Sequence, residues 1–178
     1  TKLSLAAVVP LAGVLFLFAD PLVLAWVGPS FQASVEVLQL LAIVVVIRVG
    51  NATGATVLKG AGSHRVVAAT NLGTALCNVA LSIALVTPFG LRGVALGTLV
   101  PVAAGSLLLL FPLACRRVDL GVGQAVSRAV VPAVWPALPM CAFAVATRPF
   151  VPPSLPAVGL AGAAAAAVYG LTFVLFGL

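Results

Sequence analysis

Acidic side chains are almost missing from this sequence: Asp20, Glu36 and Asp119 are the only carboxylates in 178 residues. None lies close to another in the chain, so the paired acids of glycoside hydrolysis or general acid–base catalysis have no candidates. His64 is the only histidine, and Cys77, Cys115 and Cys141 form no CxxC and have no histidine beside them. Metal-ligand spacings and Ser/His catalysis therefore lack parts, no cofactor or metal is expected, and the chain is not read as an enzyme. The cysteines read as small apolar thiols, and His64 as a turn residue facing water or headgroups. Charge of either sign is scarce, at 7% of residues.

What fills the sequence instead is hydrocarbon. Apolar residues make up 63% of the chain and the mean hydropathy is +1.29, which no soluble domain with a polar surface could carry. The apolar runs are continuous stretches of Leu, Val and Ala rather than ten-residue alternations, which excludes a transmembrane barrel. In lipid every backbone polar group must be satisfied within its own segment, so the fold class is an all-α polytopic membrane protein.

Clusters of Gly, Pro and charge divide the chain into six expected transmembrane helices, at about 3–27, 34–58, 66–87, 90–114, 130–148 and 155–177. Pro10, Pro21, Pro101, Pro132, Pro136 and Pro139 lie within or at the ends of these spans and predict kinks. The sequence opens "TKLSLAAVVP", without an initiator Met or a cleavable signal pattern, and reads as a fragment. The net charge of +6 does not point to nucleic acid, because the basic residues fall at segment ends. Lys2, Lys59, Arg65, Arg116, Arg117 and Arg128 fall on one side, Arg92 and Arg148 on the other with Asp20 and Glu36. Six against two makes the first side cytoplasmic, with both ends of the chain inside. The connector over residues 118–129 has Val118, Val122, Ala125 and Val126 at helical spacing between basic borders, and is either an interfacial helix on the inner membrane surface or a solvated linker.

Arg48, in "VVVIRVGNATGATVLKG", lies about 16 to 18 Å from either end of its span, close to the bilayer centre and too deep for simple snorkelling. Insertion scales put such an arginine at roughly 2.5 to 3.5 kcal/mol unfavourable, so it needs a partner or a wet cavity. Asn51 shares its face. Gly50 and Gly54 lie at about 200° and 240° from it and suit close helix packing. On the next span Asn71, Thr74, Asn78 and Ser82 form a polar stripe, with Leu72, Leu76, Val79 and Ile83 opposite. The stripe either lines an aqueous path or hydrogen-bonds a neighbouring helix. Gly93, Gly97 and Gly105, and the run "GLAGAAAAAVYG", suit close helix contacts. Asp20 with Pro21 either ends or kinks the first helix or binds an ion, and Glu36 suits the positive end of the second helix dipole.

Three stretches in order, "LFADPLVLAWVGPSF", "VLKGAGSHR" and "NLGTALCNVALSIALVTPFGLRGVALGTL", resemble the C-terminal half of polysaccharide flippases. These are the Wzx-like, O-antigen branch of the multidrug/oligosaccharidyl-lipid/polysaccharide (MOP) superfamily. The resemblance covers about residues 3–117. It implies a MATE-like two-lobe fold in a bacterial plasma membrane, with residues 1–117 as four helices of the C-terminal lobe, 118–129 as a cytoplasmic connector and 130–178 as an additional transmembrane pair. It also implies transport of an undecaprenyl-pyrophosphate-linked oligosaccharide from the inner to the outer leaflet by alternating access. Arg48 would then contact pyrophosphate or an acidic sugar, and Asn51, Asn71, Thr74 and Asn78 the sugar. The implied partners are the lipid-linked oligosaccharide, membrane lipids, an N-terminal lobe and polysaccharide assembly proteins. The rival expectations are a cation-coupled exporter of the same fold, which would need a mid-span carboxylate, and a non-transporting scaffold of polysaccharide assembly.

Overall fold

The computed structural model describes residues 2–176, and among these there is helix and no strand. Seven helical stretches follow one another: α1 (Lys2–Leu17), α2 (Ala19–Trp26), α3 (Ser34–Gly60), α4 (His64–Phe89), α5 (Leu91–Arg117), α6 (Val122–Phe150, with irregularities) and α7 (Leu155–Phe176). Helices α3 to α7 are each long and apolar enough to cross a membrane, and α1 with α2 makes a sixth crossing if the bent pair is one span. The chain is therefore a multi-pass helical membrane protein by length and composition.

The departures from regular α-helix follow the prolines. A proline has no N–H to donate and its ring clashes with the carbonyl four residues earlier. The residue four before Pro21 is Leu17, where α1 ends, and α2 leaves at 69° to it. The first expected span is thus one bent pair, with its break at Phe18. The same relation recurs twice: the π-helical turns Ala104–Leu110 in α5 and Val126–Val130 in α6 contain Leu108 and Arg128, four before Pro112 and Pro132. Pro10, Pro88 and Pro101 stay within α-helix.

The connector expected over 118–129 is shorter in the structure. Gly121 is extended and α6 begins at Val122, with Gly123 taken into the helix. Only residues 118–121 lie between the helices, with Asp119 in the left-handed region at φ 52.

The buried side chains form two clusters. One joins Leu5, Val9 and Phe18 of the first span to Ala133, Met140, Ala144, Val158, Ala165 and Tyr169 of α6 and α7. Packing thus ties the pair expected as an addition to the start of the chain. The Tyr169 hydroxyl donates to the Ala133 carbonyl at 2.6 Å, two residues before the break at Trp135 and Pro136. The second cluster is Leu58, Val67, Leu110 and Ala114, where α3, α4 and α5 meet. Elsewhere large apolar side chains point outward: Leu72, Leu76, Val79 and Ile83 of α4 are all more than half exposed, as is Leu160 of α7. Such a surface needs lipid as its solvent.

The alternating helix directions gather the charges at two ends. One end holds Asp20, Glu36, Arg92 and Arg148, joined as two ion pairs, Arg92 with Glu36 at 2.6 Å and Arg148 with Asp20 at 3.4 Å. Gln32 also donates to Asp20 at 2.5 Å. Asp20 thus opens α2 and crosslinks the loop after it to the end of α6. The other end holds Lys2, Lys59, Arg65, Arg116, Arg117 and Asp119.

Candidate functional site

Helix α3 runs uninterrupted for 27 residues, about 40 Å. Arg48 stands fourteen residues after Ser34 and twelve before Gly60, about 21 and 18 Å from the two ends. It is therefore at mid-helix, as its position between the turns predicted. The other side of the same helix does the packing. A Cβ at Gly50 would lie 3.0 Å from Leu5 Cδ2, and one at Gly54 would lie 3.2 Å from Ala114 Cβ. The two glycines let α1 and α5 come close, and this fixes the face that Arg48 and Asn51 present.

Helix α4 lies against α5 through glycine. A Cβ at Gly97 would be 2.7 Å from the Ser82 nitrogen, and one at Gly105 would be 2.5 Å from Thr74 Oγ1. A Cβ at Gly93 would run into the Leu85 carbonyl. The three glycines expected to serve close contact all do so, on one partner. With α4 and α5 this close at their polar face, α3 leaves a cleft of about 520 Å³ between the three helices.

The cleft collects the five residues expected to contact a substrate. Arg48, Asn51, Asn71, Thr74 and Asn78 all line it. The polar stripe divides in two. Asn71 and Thr74 face the cleft, whereas Ser82 is turned into the α4–α5 contact, where its hydroxyl lies 3.1 Å from Asn78 Oδ1 and 3.5 Å from the Val94 carbonyl. Thr98 of α5 donates from the other side, 3.4 Å from Asn78 Oδ1. The stripe is thus shared between the cleft and the helix contact. Asn78 is the hinge between them, since its carbonyl oxygen is engaged by the helix contact while its two amide donors remain available to the cleft.

Sequence reasoning missed Ser106. It is 8% exposed, lines the cleft and lies in the π-helical turn Ala104–Leu110. A π turn advances the face of a helix by an extra residue, and here Gly105 and Ser106 face inward while Leu107, Leu108 and Leu109 face out. The available signal was one hydroxyl in an apolar run, between Gly105 and Pro112.

The electrostatics are one-sided. Arg48 has no carboxylate partner among the described residues, since Asp20 and Glu36 are held in the ion pairs at the far end. Asn51 is 6% exposed, and its Oδ1 is a buried acceptor without a hydrogen-bond partner. That oxygen is closed off from solvent, on the side where a Cβ at Gly54 would come within 3.1 Å of it. The cleft itself offers a cation with five N–H donors, which suits an anion, and the amides of Asn71 and Asn78, which suit hydroxyls. No group of three His, Cys, Asp or Glu side chains able to hold a metal occurs among the described residues. The chain matches no known family model, no curated protein and no solved structure.

Proposed function

We propose that the chain is part of a membrane transporter that moves a lipid-linked oligosaccharide, with a pyrophosphate linker, from the inner to the outer leaflet. The observation that carries this reading is the gathering in one mid-helix cleft of Arg48, without a carboxylate partner among the described residues, and the amides of Asn51, Asn71 and Asn78. A sugar pyrophosphate has both complements, oxyanions for the guanidinium and hydroxyls for the amides. Its polar head cannot cross hydrocarbon unaided, so a carrier must supply a polar path at mid-membrane. Arginine suits phosphate because its planar fork donates two parallel hydrogen bonds.

The proposal includes a MATE-like lobe with the cleft facing a second bundle, alternating access between the two, and a bacterial plasma membrane with both ends of this chain inside. The distribution of Lys and Arg supports that orientation, because six fall toward the Lys59–Arg65 end and two, Arg92 and Arg148, at the other. The cation-coupled exporter loses ground on one point: no carboxylate lines the cleft.

The test is transport in the full-length protein, with leaflet accessibility of the lipid-linked sugar as the readout. Arg48→Ala is expected to abolish flipping with normal insertion, and Arg48→Lys to retain part of it, since charge survives and the fork is lost. Flipping by Arg48→Ala at near the parent rate would refute the phosphate contact.

A further inference from the structure

A second, largely apolar groove runs along α3 and meets the polar cleft at Asn51, which lines both. Two adjoining clefts of about 310 and 380 Å³ lie between α3, α5 and α6 and share Gly50 and Phe111. The deeper one is walled almost entirely by hydrocarbon, with Ile47, Leu107, Val126 and Val130 among its side chains. The outer one reaches the turn between α5 and α6, where Gln124 and Arg128 line it. Along α3 the groove extends from Val46 to Val57, about 16 Å. Half of a bilayer's hydrocarbon core is about 15 Å.

The mouth is strongly cationic. Arg116 and Arg117 end α5 immediately after Cys115, which lines the groove, and Arg128 lines it directly. None of these arginines is ion-paired among the described residues, and Asp119 is the sole carboxylate at this end. We propose that this groove holds one acyl chain of a phospholipid whose anionic headgroup sits on Arg128. Length, apolar lining and a cation at the open end match a single leaflet lipid, and basic pockets between helices are where anionic headgroups are held. The π-helical turn Val126–Val130 shapes the site, because it sets both the apolar wall and Arg128 on the groove. The groove touches the polar cleft at Asn51, and lipid retention is read without any transport.

The test uses the whole chain purified in mild detergent and offered equal amounts of phosphatidylglycerol and phosphatidylcholine, with retained lipid counted by native mass spectrometry. One retained lipid per chain is expected, with phosphatidylglycerol preferred. Arg128→Gln lowers that preference about fivefold, the factor expected for one cation near an anionic lipid. Val126→Trp fills the groove, keeps the cation and removes retained lipid of both kinds, whereas Arg65→Gln, at the same end but outside the groove, changes neither. Equal retention of the two lipids by the parent, undiminished retention in Val126→Trp, or an effect of Arg65→Gln as large as that of Arg128→Gln would each overturn the proposal. Displacement of the lipid by inorganic phosphate alone would overturn it too, because the binding would then need no groove.

Discussion

Replacing Gly97 with alanine adds one methyl group, and the structure makes it costly. The new Cβ would lie 2.6 Å from Ser82 Oγ, 2.7 Å from its backbone nitrogen and 2.8 Å from its Cα. Comfortable separations between such atoms are about 3.5 to 4.0 Å, and two of the three atoms belong to the backbone, so no side chain can swing away. Helices α4 and α5 must part by roughly 1 Å, and a gap of that size forfeits a quarter to a half of each dispersion contact along the seam. Overpacking of this kind costs about 1 to 3 kcal/mol, against about 1 kcal/mol returned by the better helix propensity of alanine. A net loss of up to ~2 kcal/mol is expected. The Thr98 to Asn78 hydrogen bond, already at 3.4 Å, would break with it. Gly73 is the control: it lies in the same interface's helix, but a Cβ there meets no atom within 4 Å. Gly73→Ala should be neutral or more stable by about 0.5 to 1 kcal/mol. Unfolding of the two variants in mixed micelles measures both. A gain in Gly97→Ala as large as that in Gly73→Ala, or an equal loss in the two, would refute the backbone contact.

In a chain with Cys77, Cys115 and Cys141 replaced, Asn71→Cys should react with a small water-soluble thiol reagent and Ser82→Cys should be protected, with reaction rates as the measurement; equal rates would remove the division of the stripe. Tyr169→Phe leaves the Ala133 carbonyl without the hydroxyl donated at 2.6 Å and should destabilise by about 1 to 3 kcal/mol in the same unfolding assay, the usual penalty for an orphaned buried acceptor. Arg92→Ala should cost no more than ~1 kcal/mol, because both members of its pair with Glu36 are about half exposed, and a Glu36→Arg, Arg92→Glu swap should recover the loss; a swap that falls below either single change would show the pair to be misassigned.

Spans and polar positions were legible because both rest on local physics. Apolar run length gives the crossings, and the 100° step per residue puts Arg48 and Asn51 on one face with Gly50 and Gly54 away from it. Turn positions alone put Arg48 at mid-helix, where the structure has it. Three things were not legible. The break at Phe18 rather than at the prolines requires knowing that Pro21 expels its effect four residues back, to Leu17. The early start of α6 depends on Gly121 taking an extended conformation while Gly123 stays helical, which composition does not distinguish. Ser106 enters the cleft only because a π turn rotates it there, and α-helical periodicity cannot anticipate a turn of different pitch.

The partition of charge also constrains what the cleft can hold. Two of the three carboxylates are tied to arginines at one end and the third, Asp119, lies at the other, so the described residues offer Arg48 no counter-charge. The amides of Asn71 and Asn78 line the same cleft. A simple anion would satisfy Arg48 and leave the amides to water; a neutral sugar would meet the amides and leave the charge. A ligand carrying oxyanion and hydroxyl on one frame relieves both at once, and selectivity follows from the sum. Competition for the cleft by a sugar phosphate should therefore exceed that by inorganic phosphate or by the free sugar, and the excess should shrink in Asn71→Leu, where an amide lining the cleft is lost.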